Sequence, residues 1–115
     1  MKKLGNQTLK LDNPPTILNT ASIVGPKESD GPLAKYFKET VNSVLAKSGL
    51  SSKDIDYSFA GDLLNQCISS NFGMRDSNIP FFGLFGACST FVESLCIGSV
   101  FIDSLACQNV LCATS

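Results

Sequence analysis

The chain has 115 residues, enough for one domain or part of one. Hydrophobic residues make up 43% and charged residues only 17%, a balance that excludes a disordered tail. A net charge of -1 with Arg75 as the single arginine disfavours nucleic-acid binding, and the absence of histidine removes the usual general base, a His metal ligand and a Ser/His/Asp triad from this chain.

Residues 1–13 form a polar N-terminal extension, and Asn13-Pro14-Pro15 excludes a central strand there. Residues 14–115 read as one incomplete α/β domain. Thr16 to Val24 has the β-branched character of a first strand, closed by Gly25-Pro26. Lys27 to Pro32 is a charged loop. From Leu33 to Lys47, the residues Phe37, Val41, Val44 and Leu45 share one helical face, and Ser48-Gly49 supplies the stop. Ser51 to Asp54 predicts a short capped turn. Ile55 to Ala60 predicts a second strand. Asp62 is then a plausible N-cap for a helix carrying Leu63, Leu64, Cys67 and Ile68.

Phe81 to Phe85 reads as a third strand, apolar on both faces as in a central strand covered by helices. Gly86-Ala87-Cys88-Ser89-Thr90 is a tight turn into a third helix that runs to about Leu105. That helix is apolar nearly all round, which predicts burial on most sides. Asn109 to Ala113 predicts a fourth strand. The order β-α-β-α-β-α-β argues for a mainly parallel sheet with right-handed crossovers. The third helix needs a partner layer that these residues do not contain. The natural unit is then larger, or a partner chain covers the apolar surface. The uncharged run from Ser77 to Val92 is interrupted by Pro80, Gly83 and Gly86, so no transmembrane helix is expected; the polar residues after Lys2 and Lys3 leave no signal peptide.

Five cysteines, none spaced as a zinc knuckle or a redox pair, point to a reduced intracellular protein. Cys88 stands apart. It follows a strand and a small-residue turn and opens a helix, where the positive helix end and unpaired N–H groups stabilise a thiolate or an oxyanion. A reactive or ligand-binding cysteine and a structural one both fit that position. Cys67, Cys96, Cys107 and Cys112 read as structural. Asp62, Asn65 and Gln66 lie beyond the carboxyl end of the second strand, the edge where open α/β sheets bind ligands; a cap and a solvated face fit them too. Glu93, one turn past Cys88, faces the site or is structural. Gly83 and Gly86 lack a dinucleotide fingerprint.

Gly31-Pro32-Leu33 with Tyr36-Phe37, Asp54 to Tyr57, Phe59-Ala60-Gly61-Asp62-Leu63-Leu64-Asn65-Gln66, Ile79 to Leu84, Gly86-Ala87-Cys88-Ser89-Thr90 and Ala113-Thr114-Ser115 closely resemble the stage V sporulation protein AD family. That family belongs to the thiolase-like superfamily, near β-ketoacyl-acyl-carrier-protein synthase III. The resemblance runs from about residue 14 to the end. It implies a partial thiolase-like fold, the first part of the N-terminal α/β half, homodimeric at full length. It places Cys88 at the position of the condensing enzymes' catalytic nucleophile, with Asn65, Gln66 and Ser89 as ligand-binding candidates, and no metal. It implies binding of dipicolinic acid, with calcium, and help in its uptake into the forespore. The partners would be other stage V sporulation operon proteins at the membrane, and the location peripheral to the forespore inner membrane on its cytoplasmic side. No cofactor is expected unless the chain is an acyl-thioester transferase, when acyl-coenzyme A or acyl carrier protein would serve. The family is much longer than this chain, and the His and Asn that complete the condensing enzymes' site lie in the part not matched. The stretch between Tyr36-Phe37 and Val41 is shorter than in relatives. An inactive truncated fragment is therefore a third reading, and turnover by this chain alone is not expected.

Overall fold

The computed structural model describes residues 1–23 and 34–115, the side chains of Ala34, Lys35 and Asn65 excepted. The predicted closure at Gly25-Pro26, the loop Lys27 to Pro32 and the helix start at Leu33 lie outside the described residues.

Strands β1 (Lys2–Leu4) and β2 (Thr8–Lys10) form an antiparallel hairpin, with Gly5 in the left-handed region at φ +65°. The hairpin's exit is tied to the far end of the chain, because the Asn13 N–H donates to Asp103 Oδ1 at 2.6 Å. Helix α1 (Ala34–Ser48) ends where Gly49 takes φ +70°. Its apolar face buries Phe37 and Val41 with Ile55, Ala60, Met74, Ile79 and Leu111 in the main core. Ser51 and Asp54 then build a capping box: the Asp54 carboxylate accepts the Ser51 N–H at 2.8 Å and the Ser51 hydroxyl at 2.7 Å.

The main sheet is three-stranded and parallel, in the order β4 (Phe81–Leu84), β3 (Tyr57–Gly61), β5 (Val110–Thr114). Helix α2 (Ile68–Met74) joins β3 to β4, and α3 (Thr90–Asp103) joins β4 to β5. The mixed α/β architecture read from the sequence is thus present.

Four elements differ from the sequence reading. Residues 16–23 are not a strand. The sheet has the order β4-β3-β5, and the segment pairs with neither of its outer edges. It lies outside, with Ile17 71% exposed, held where Asn19 Nδ2 donates to the Lys47 carbonyl at 3.0 Å. Second, β4 is an edge strand and not a central one; the central strand is β3, whose Ser58, Phe59, Ala60 and Gly61 are buried. Phe82 and Phe85 are correspondingly exposed.

Third, α2 starts at Ile68, not at Asp62. Residues 65–67 form a separate 3-10 turn in which Gln66 and Cys67 take positive φ (59° and 52°), and a helix cannot run through that kink. Fourth, α3 fully buries its small residues and its large ones only in part. Its buried residues are Thr90, Ser94, Gly98 and Asp103, and Phe91, Val92 and Cys96 are exposed. The small stripe at Thr90, Ser94 and Gly98 lets the helix lie close on the sheet. A Cβ on Gly98 would stand 3.1 Å from both Cys112 Sγ and Val110 Cγ2. Among the described residues, no helix is long and apolar enough to cross a membrane.

Candidate functional site at the carboxyl edge of the sheet

Parallel pairing sets Gly61 of β3 beside Leu84 of β4, so the turns that follow the two strands leave the same edge of the sheet. The first turn carries Asn65, Gln66 and Cys67; the second carries Cys88 and Ser89 within a 3-10 turn over Ala87–Ser89. A thiol joins them, as Cys67 Sγ donates to the Leu84 carbonyl at 3.1 Å. Glycine at position 61 is required by this closeness. A Cβ there would fall 1.9 Å from the Leu84 carbonyl oxygen and 2.8 Å from Thr90 Cγ2.

Asp62 is structural. It is 1% exposed, and its Oδ1 accepts the Leu64 N–H at 2.9 Å. Its Oδ2 accepts the Ser70 N–H at 2.8 Å and the Ser70 hydroxyl at 2.7 Å. The carboxylate thereby satisfies donors at both ends of the kink, the capping chemistry the sequence suggested, but across a longer loop.

Cys88 is exposed. The residue before it, Ala87, is held at φ 51°, a conformation that costs an L-residue about 1 kcal/mol or more. Ser89 is exposed, and its hydroxyl donates to the Gly86 carbonyl at 2.6 Å. Gln66 is exposed, and its carbonyl accepts Asn71 Nδ2 at 2.7 Å. Asn65 lies in the turn, and its side chain is outside those described. The structure thus brings the four sequence-predicted positions to one sheet edge, on two turns linked through Cys67.

Two residues of this edge carry more than the sequence reading gave them. Thr90 is 1% exposed and bridges the second turn, accepting the Gly86 N–H at 3.0 Å and donating to the Ala87 carbonyl at 2.8 Å. Its signal in the sequence is a β-branched hydroxyl at the first position of a helix. Glu93 packs on the same turn, since a Cβ on Gly86 would fall 2.5 Å from Glu93 Oε2. No Lys or Arg occurs in residues 61–68 or 84–95, so the hydrogen-bond donors at this edge are amides, hydroxyls and thiols.

The remaining cysteines separate by surroundings. Cys67 is buried; Cys107 and Cys112 are partly covered, and burial pushes both of their thiols up from the ordinary value. Cys96 is exposed on α3, contrary to a buried structural role, because it lies off the stripe of Thr90, Ser94 and Gly98 that is buried against the sheet. A shallow cleft of about 160 Å³ lies elsewhere, between α1 and α2, lined by Lys38, Val41, Asn42 and Asp76 among others; none of the predicted site residues lines it. Among the described residues, no group of three or more Cys, Asp or Glu is placed to hold a metal ion.

Fold and edge together define an α/β protein with a parallel sheet and two polar turns at its carboxyl end, one of them presenting a thiol. Comparison with known proteins makes this specific. The family model described as stage V sporulation protein AD matches residues 5–42 and 35–115. Stage V sporulation protein AD of Bacillus subtilis (strain 168) is 36% identical over 137 aligned positions, which take in all of this chain and 40% of that protein. The chain belongs to the stage V sporulation protein AD family. It spans about two fifths of the length of that relative. The family match divides at residues 35–42, the stretch that the sequence reading marks as shortened.

Proposed function

We propose that this chain serves in sporulation as the ligand-binding first portion of a thiolase-like scaffold, and that the ligand is dipicolinic acid, carried with calcium toward the forespore. Family membership carries the sporulation role. The observation that favours a small anionic ligand is the turn at Gly86–Thr90. The amide N–H groups of Ala87 and Cys88 lie in the short turn ahead of the N-terminus of α3, and amides there, with the helix dipole, suit a carboxylate. With no basic side chain in either turn, a dicarboxylate would be held by amides and hydroxyls, and a calcium ion would offset its charge. Cys88, Ser89, Gln66 and Asn65 are the side chains proposed to touch it. The protein would sit against the cytoplasmic side of the forespore inner membrane beside other stage V proteins.

The test is calorimetric titration of the full-length protein with dipicolinate, with and without calcium. Heat and a thermal shift at or below millimolar ligand are expected; neither would overturn the reading. The exposure of Cys88 favours a second reading, acyl transfer from acyl-coenzyme A or acyl carrier protein to the thiol. Mass spectrometry after incubation with an acyl-coenzyme A decides it, since an adduct confined to Cys88 is required. Without histidine in these residues, no turnover is assigned to the chain by itself.

A further inference from the structure

We propose that Thr90 is the positioning residue of the Cys88 turn; the functional weight of this rests on the reading of that turn as the ligand edge. The strand β4 ends at Leu84, and within a few residues the chain must reverse onto α3 through Ala87 at φ 51°. A non-glycine residue stays in that region only when its surroundings over-determine it. Thr90 and Ser89 supply the determination between them. The Thr90 Oγ1 donates to the Ala87 carbonyl, in the peptide plane on the C-terminal flank of the strained residue, and accepts the Gly86 N–H, in the Phe85–Gly86 plane; the plane between, Gly86–Ala87, is held at the Gly86 carbonyl by the Ser89 N–H and hydroxyl.

The methyl group has its own task. Thr90 Cγ2 packs toward Gly61, at the end of the neighbouring strand, where a Cβ would stand 2.8 Å away. Cys67 completes the frame from the other turn by donating to the Leu84 carbonyl. Serine keeps the oxygen and loses the methyl; valine keeps the shape and loses the oxygen. Ser89 does not substitute, because its N–H and hydroxyl bond the Gly86 carbonyl and neither of the two groups that the Thr90 hydroxyl holds. The orientation of the Cys88 amide, which shares its peptide plane with the Ala87 carbonyl, and the direction in which the Cys88 side chain leaves the turn, thus depend on the Thr90 hydroxyl.

The experiment compares the wild type, Thr90→Ser and Thr90→Val by amide hydrogen exchange and by iodoacetamide alkylation, with exposed Cys96 as the internal control. In the wild type the Gly86 amide should exchange at least tenfold more slowly than those of Ala87 and Cys88. Thr90→Val should erase that difference and change the Cys88-to-Cys96 alkylation ratio at least threefold, and Thr90→Ser should restore both toward wild type. A Gly86 amide as fast as its neighbours in the wild type overturns the proposal, even where Thr90→Val fails to fold. So does a Thr90→Val protein with both readouts unchanged. Dipicolinate that fails to bind a wild type with a protected Gly86 amide overturns the ligand reading and leaves the role of Thr90 standing.

Discussion

Asp56 shows how an exposed carboxylate contributes without an ion pair. Its Oδ2 accepts the N–H groups of Gln108 and Asn109 at 2.8 and 3.0 Å, tying the entrance of β3 to the entrance of β5. These two backbone bonds, Asn109 first, hold the Asp56 carboxyl below its ordinary value. A carboxyl lowered in the folded state stabilises the fold above its unfolded pKa and loses that contribution as pH falls through the folded value. Asp56→Asn should therefore lower Tm by about 3 °C at pH 7, with the difference shrinking once pH falls below about 4. Thermal melts across pH 3–7 check this; a pH-independent difference contradicts it. Gly61 is the sharper case at this scale. Any Cβ meets the Leu84 carbonyl oxygen, which is backbone and cannot swing aside. Gly61→Ala should cost at least about 3 kcal/mol in chemical denaturation, and a cost below about 1 kcal/mol would show that the two turns are less closely packed.

At the scale of elements, periodicity told where helices lie but not which face they bury. The helix around Phe37 and Val41 follows its apolar stripe, and its stop at Gly49 stands as the sequence implied. Helix α3 departs from the rule. Its large apolar residues suggested burial all round, yet the residues fully buried against the sheet are Thr90, Ser94 and Gly98, with Phe101 the large side chain that packs on the rings of Tyr57, Phe59 and Phe82. Close approach of helix to sheet selects small residues, and single-sequence hydropathy does not register that selection. Ser94 is fully buried, its hydroxyl spent on the Phe91 carbonyl at 2.7 Å. Ser94→Leu should destabilise by about 2–3 kcal/mol through overpacking, although it raises both helix propensity and hydrophobicity; an unchanged denaturation midpoint would refute the close seat of α3. The segment Thr16 to Ile23 misled for a related reason. Strand propensity is expressed only where pairing and packing support it, and residues 16–23 pair with neither outer edge of the sheet. The positions of the candidate residues were more legible: Gln66 and Cys88 were singled out because they follow strands, and the structure places both at the carboxyl edge of the parallel sheet. Thr90 was missed because its work is hydrogen bonding within a turn, which spacing does not display.

For the molecule as a whole, the apolar surface is the governing fact. Val92 is 60% exposed, and Phe82, Phe85 and Phe91 join it on exposed surface. The chain covers 40% of its Bacillus relative, and exposed apolar surface of this kind favours association. Taken alone, the 115-residue chain should self-associate at micromolar concentration. Val92→Asp should reduce that association with little change in Tm; light scattering and a thermal melt report the two quantities, and association unaffected by the charge would place the sticky surface elsewhere.

The central claim is that this edge is where the ligand binds. The most direct measurement is an amide NMR titration of the chain with dipicolinate and calcium, carried out on the Val92→Asp background if association broadens the spectra. The account predicts saturable shifts concentrated at Gly86, Ala87, Cys88 and Ser89, with smaller ones at Asn65 and Gln66. Shifts centred on the cleft of Lys38, Asn42 and Asp76, or none at millimolar ligand, would contradict it.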